Sequence, residues 1–202
     1  MTLKPSLRWP LLLAVTMVMA MAGAAQAQQN TNVRGTVSAF DGKVVTVKSR
    51  DGGDVQIELP ENVPVNTTKA FTLADAKPGM LLAVTTVKRA DGALVAIDVR
   101  PIPSTARQGL SPYDLQPGST MTNAVMEAMV ESSGVGELTL NYQAGTVKVL
   151  VPHATPMSQS VPGNRSDIKP GETVFAPARM GEGGRMTAVR VQVSKDGVRP
   201  TQ

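Results

Sequence analysis

The sequence predicts an all-β protein built from two tandem small five-stranded OB-like barrels joined by a Pro/Gly-rich strap. Three observations carry that prediction: an internal duplication, an alternation of apolar and polar residues with a period of two, and turn dipeptides that punctuate it. The duplication is read first, because a repeat sets the architecture of everything inside it. At a spacing of 92 residues, Asp75, Lys77, Pro78 and Gly79 fall on Asp167, Lys169, Pro170 and Gly171. The same spacing pairs Gly92 with Gly184, Ala96 with Ala188 and Val99 with Val191. Further upstream the spacing slips by one, which sets Val45 and Val47 on Leu138 and Leu140 and implies one inserted residue in a hairpin.

Each element follows in chain order. Residues 1–27 read as a cleavable signal: Lys4 and Arg8 precede an uncharged apolar run, and Ala25-Gln26-Ala27 is a small-x-small cleavage site. The apolar run is short for a membrane span of about 20 residues. In the first module, 28–101, Val45 and Val47 alternate with Thr46 and Lys48, and Val55, Ile57 and Leu59 with Gln56 and Glu58. A period of two turns one set toward a core and the other toward water. Asp41-Gly42, Asp51-Gly52 and Asp91-Gly92 are hairpin turns, since Asp-Gly supplies the positive φ that tight turns require. Thr72 to Ala76 form one helical turn, which Asp75 caps, and Pro78-Gly79 closes it as a type II turn.

Residues 102–123 hold Pro103, Pro112 and Pro117 with Gly109 and Gly118, and read as an extended strap. The second module, 124–194, repeats the pattern with Leu138 and Leu140, then Val147, Val149 and Val151, then Val189, Val191 and Val193; Asp167 is its capping residue. Its turns fall at Ser133-Gly134, Ala144-Gly145 and Gly183-Gly184, and residues 195–202 form a tail. The stretch Ala124 to Val130 fits a helical stripe as well as a strand. The repeat decides for a strand, by setting Val33–Val37 on Met126–Val130. Three strands, a helical turn and two strands per copy suit a small Greek-key barrel; periodicity leaves a flatter sandwich open. A fragment of residues 28–101 is therefore expected to fold alone.

Composition narrows function. Two of the 20 basic residues leave with the signal, so 18 face 16 acidic residues, a net charge of +2. With no basic run and no Trp beyond Trp9, a nucleic-acid role is not expected. The chain has no cysteine, which removes disulfides, thiol redox chemistry and thiolate metal sites. After the signal, no stretch is long and apolar enough to span a bilayer. No Gly-x-Ser-x-Gly elbow surrounds a serine, and Glu127 and Glu131 approach each other only on a helix. No enzyme activity and no cofactor are expected. His153, the single histidine, and Met157 four residues on are the candidate ligands of a soft metal such as copper(I); the alternative for the methionines is core filling. Tyr113 and Asp114 in the strap are candidates for a contact, either between modules or with a partner.

Val33-Arg34-Gly35-Thr36-Val37, Leu73-Ala74-Asp75-Ala76-Lys77-Pro78-Gly79 and the strap Tyr113-Asp114-Leu115-Gln116-Pro117-Gly118-Ser119-Thr120-Met121-Thr122-Asn123 together resemble a bacterial domain-of-unknown-function family of small exported OB-like β-modules. The resemblance covers essentially all of the chain after the signal. It implies export and the barrel fold. Members usually carry Trp in place of Tyr113, often with a His and an Arg just before it; here Leu110, Ser111 and Pro112 occupy that stretch. Members often bear the label of metal-transporter permease, which the lack of apolar spans contradicts. The resulting expectation is a periplasmic or secreted, non-catalytic binding or scaffolding protein whose partner is another envelope protein. The alternative is a periplasmic metal-handling accessory using His153 and Met157.

Overall fold

The structure is a computed structural model that describes residues 30–132, 134–181 and 184–200. The segment 1–27 that reads as a signal, and the expected turn residues Ser133 and Gly183, lie outside the described residues. From the first copy come β1 (Asn30–Phe40), β2 (Val44–Ser49), β3 (Asp54–Glu58), β4 (Val65–Ala70), a 3-10 turn (Leu73–Asp75), β5 (Leu81–Lys88) and β6 (Leu94–Pro101). The strap contributes β7 (Gly109–Pro112). The second copy supplies β8 (Thr120–Ser132), β9 (Val135–Tyr142), β10 (Gly145–Pro152), β11 (Ser158–Pro162), a 3-10 turn (Arg165–Asp167), β12 (Thr173–Met180), β13 (Met186–Ala188) and β14 (Val191–Val193). The all-β class and the two closed five-stranded barrels agree with the sequence reading. Both 3-10 turns are closed as foreseen, with the backbone N–H of Thr72 donating to Asp75 Oδ2 and that of Asn164 to Asp167 Oδ2.

The barrels do not coincide with the repeats, and the expectation of contiguous modules at 28–101 and 124–194 is corrected here. The first barrel closes in the order β1-β2-β3-β13-β12 and back to β1, so three of its strands come from the first copy and two from the second. The second barrel closes as β5-β6-β10-β9-β8 and back to β5, the reciprocal exchange. The interiors follow the same split. Val33, Val37, Val45, Val47 and Ile57 pack with Val174, Ala176, Ala178 and Val191. Leu82, Val84, Ala96 and Val99 pack with Met126, Leu138, Leu140, Val149 and Val151.

The exchange passes through β4 and β11. These strands pair antiparallel, Asn66 opposite Pro162 and Ala70 opposite Ser158. Val65 on β4 is also opposite Val191 on β14 in parallel, and its repeat mate Met157 is opposite Val99 on β6 in parallel. These ladder contacts in one half thus have counterparts in the other, and the β4–β11 ladder lies on a pseudo-twofold axis. This is the geometry of an exchanged dimer whose protomers are joined in one chain. The exchange keeps every strand beside a strand of the kind the repeat would have supplied from its own copy.

Register corrects one further expectation. The bulge after Val37 in β1 corresponds to the bulge after Met126 in β8, since Val37 opposes Val47 and Met126 opposes Leu140. Val37 is therefore equivalent to Met126, and Arg34 to Asn123, rather than to residues farther along β8. Ala124 to Val130 is a strand as read, but the alignment that selected it was displaced. The physical reason is the longer β8–β9 hairpin, where Val130, Glu131 and Ser132 extend the ladder against Glu137, Gly136 and Val135. On that strand Glu127 and Glu131 are exposed, and the helical carboxylate pairing does not form.

Candidate functional site: the strap junction

The strap docks on the first barrel through Arg34. This residue projects from β1 opposite Phe175 of β12, a neighbour that exists only because of the exchange. Its guanidinium lies 5.0 Å from the Phe175 ring centroid and 5.6 Å from that of Tyr113. Arg190 approaches the same Phe175 at 5.5 Å. Stacking a guanidinium on aromatic rings contributes about 0.5–2 kcal/mol per contact, more as water is excluded.

Asp114 completes the clamp. Arg34 Nη1 donates to Asp114 Oδ2 at 3.0 Å and Nη2 to Oδ1 at 2.8 Å, the two-pronged geometry that a planar guanidinium favours. Arg34 Nη2 also donates to the Tyr113 hydroxyl at 3.3 Å, and Asn32 Nδ2 reaches both Asp114 oxygens. The Arg34 side chain is only 9% exposed, whereas Asp114 is 52% exposed. Burial disfavours the Arg34 charge, but the hydrogen bonds and negative charge of Asp114 and the contact with Tyr113 outweigh it, so its pKa lies above the ordinary value. The Arg34 hydrogen bonds hold the Asp114 carboxyl below the usual carboxylate range, with Asn32 assisting. Arg34 Nε is buried and has no partner among the described residues.

Farther along the strap, Arg50 Nη2 donates to the Leu115 carbonyl at 3.3 Å. Ser119 Oγ accepts from Gln116 N–H and donates to carbonyls of Tyr113 and Gln116, which folds the strap into a fixed turn. The turn brings Tyr113 N–H to the Ser119 carbonyl at 2.9 Å. Tyr113 and Asp114 are thus brought together, and the contact they make is internal. Sequence reading singled out both residues, yet assigned no role to Arg34 or Phe175. The signal was present in the alternating stretch Val33-Arg34-Gly35-Thr36-Val37, but its meaning depended on knowing that β12 lies beside β1.

The second candidate pair is not gathered in this way. His153 sits exposed in the turn after β10, where its backbone N–H reaches the Gly134 carbonyl at 3.4 Å. Met157 packs against the second barrel's core and bridges Val99. Met126 is buried in the same core and Met186 packs on the first, as core filling predicts. Among the described residues, no group of three or more histidine and carboxylate side chains is placed to hold a metal ion, and no helix is long and apolar enough to cross a membrane.

The second barrel carries its own ion pair, between Arg100 and Asp98 on β6. Asp98 is fully buried, and Thr85 Oγ1 also donates to it at 3.4 Å. Comparison with known proteins finds no matching family model, no matching curated protein and no matching solved structure.

Proposed function

We propose that this is a non-catalytic exported protein, acting in the periplasm or outside the cell as a binding or scaffolding module for another envelope protein. The observation that carries the reading is the use made of the polar groups at the strap junction. Arg34, Asp114, Tyr113 and Asn32 are engaged with one another in holding the strap, which is a structural task. The signal segment and the resemblance to exported β-modules support the compartment.

One part of the sequence argument for scaffolding changes. Open barrel edges would have offered a ready seat for a partner strand, but both barrels are closed. Among the described residues, β11, which pairs with β4, and β7, which pairs with β8, each end a sheet, and β7 lies on the strap. It carries Leu110, a large apolar side chain 46% exposed. A short extended edge of this kind suits strand addition by a partner, with Pro112 limiting how far such pairing runs. The soft-metal alternative has less support, because the Met157 side chain packs with the second barrel's core. The test is a photocrosslinking residue in place of Leu110, activated in intact cells. A discrete heavier species containing a second protein is expected, and recovery of uncrosslinked monomer alone counts against the reading.

A further inference from the structure

A cavity of about 620 Å³ opens where the first barrel, the strap and the second barrel meet. Its size lies within the roughly 300–1,000 Å³ typical of small-molecule sites. Four cations line it, Arg34, Lys48, Arg50 and Arg199, and the lining holds no carboxylate. Arg34 is already paired with Asp114. Lys48, Arg50 and Arg199 are exposed and form no ion pair among the described residues. A chain whose charges nearly balance thus collects three uncompensated cations and a paired fourth on one concavity. Mutual repulsion makes such a cluster costly unless an anion settles it, and low-dielectric walls focus its potential on the space between.

We infer that this cavity binds a small organic anion carrying two or more carboxylate or phosphate groups. Guanidinium groups offer forked donors that match either oxyanion. Gln116 of the strap adds an amide to the lining. No aromatic ring lines the space, so recognition rests on charge and hydrogen bonding rather than on ring stacking. The site is assembled from both barrels and the strap, which makes the docked strap one of its walls. This inference is independent of the protein-partner reading and survives or fails separately from it.

The test is calorimetric titration of the full secreted chain with citrate and, separately, with inorganic pyrophosphate at low salt. Saturable one-to-one binding of at least one is expected, and the preferred anion distinguishes carboxylate from phosphate as the cognate group. The double variant Arg50→Glu/Arg199→Glu is expected to weaken binding roughly tenfold or more, as loss of charge-assisted hydrogen bonds does. The control Lys43→Glu/Lys169→Glu makes the same charge change outside the lining and is expected to retain affinity. If charge reversal disturbs the fold by circular dichroism, Arg50→Gln/Arg199→Gln gives the same comparison. Absence of saturable binding by either anion, or equal weakening by the lining and control pairs, overturns the proposal.

Discussion

The two barrels share an interior and differ in the polar residues around it. Core positions correspond closely: Val45 and Val47 with Leu138 and Leu140, Val174 with Leu82, Val191 with Val99. At the outward position on the first strand the correspondence ends. Arg34 opposes Phe175 in the first barrel, while Asn123 opposes Ala83 in the second. Asn123 makes no ion-paired clamp of the kind Arg34 makes; its Nδ2 donates to the strap's Arg107 carbonyl at 3.1 Å. The reverse holds on the later strand, where the buried Asp98–Arg100 pair of the second barrel corresponds to Arg190 and Gln192 in the first. The lesson is that packing holds duplicated interiors alike, because volume and apolarity are constrained on every side. The polar periphery is constrained only by what it touches, and here the strap meets the first barrel through the Arg34 clamp and the second through the β7–β8 ladder.

The strongest way to break the comparison is to separate the copies. Residues 28–101 contain β1 to β3 of one barrel and β5 and β6 of the other, with none of the strands that close either. The fragment is expected to be unfolded, or to recover structure only as a dimer that repeats the exchange, by circular dichroism with light scattering. A folded monomer would show that the β4 crossover can turn back, and that the exchange is a choice rather than a requirement.

The next effect tests the second barrel's ion pair. Asp98→Ala leaves Arg100 with a lost buried counter-charge, and breaking such a pair costs about 3–5 kcal/mol. Chemical denaturation is expected to show a loss of that order, well above that of any single strap substitution. A loss comparable with a surface change would mean that water or other groups compensate Arg100.

The smallest effect belongs to the exposed partner of the first barrel's clamp. Asp114→Asn is expected to cost about 1 kcal/mol or less, since solvent screens a half-exposed ion pair. Its signature is pH dependence. A carboxylate with a lowered folded pKa stabilises the clamp above its ordinary pKa of about 3.9 and loses that contribution as pH falls through the folded value. Strap release on acidification, read by Tyr113 fluorescence in a Tyr142→Phe background, is therefore expected in the parent and absent from the variant. Equal acid transitions in both would remove Asp114 as the titrating group.

Much of this was legible in the residues. Val45/Val47 and Val149/Val151 marked buried strand faces because alternation reports which side of a pleat meets water. Asp75 and Asp167 marked the two helical turns because a side-chain oxygen there satisfies a free backbone N–H. Tyr113 and Asp114 stood out as an aromatic and a charge on a connector with little else to bind. Their partner was illegible, since Arg34 is one of many arginines until a fold sets Phe175 beside it and the strap over it.

By itself the sequence determined the all-β class, the strand faces and the turns, which depend on neighbours a few residues apart, and the duplication, which is visible as identities at a fixed spacing. Only the tertiary structure decided which copy closes which barrel. Local periodicity is the same whether a strand pairs within its own repeat or across to the other, so the ladder along β4 and β11 and the anchoring of the strap settle the exchange. The shift that makes Arg34 equivalent to Asn123 was likewise a tertiary matter, because the residues added to the β8–β9 hairpin change register without disturbing alternation.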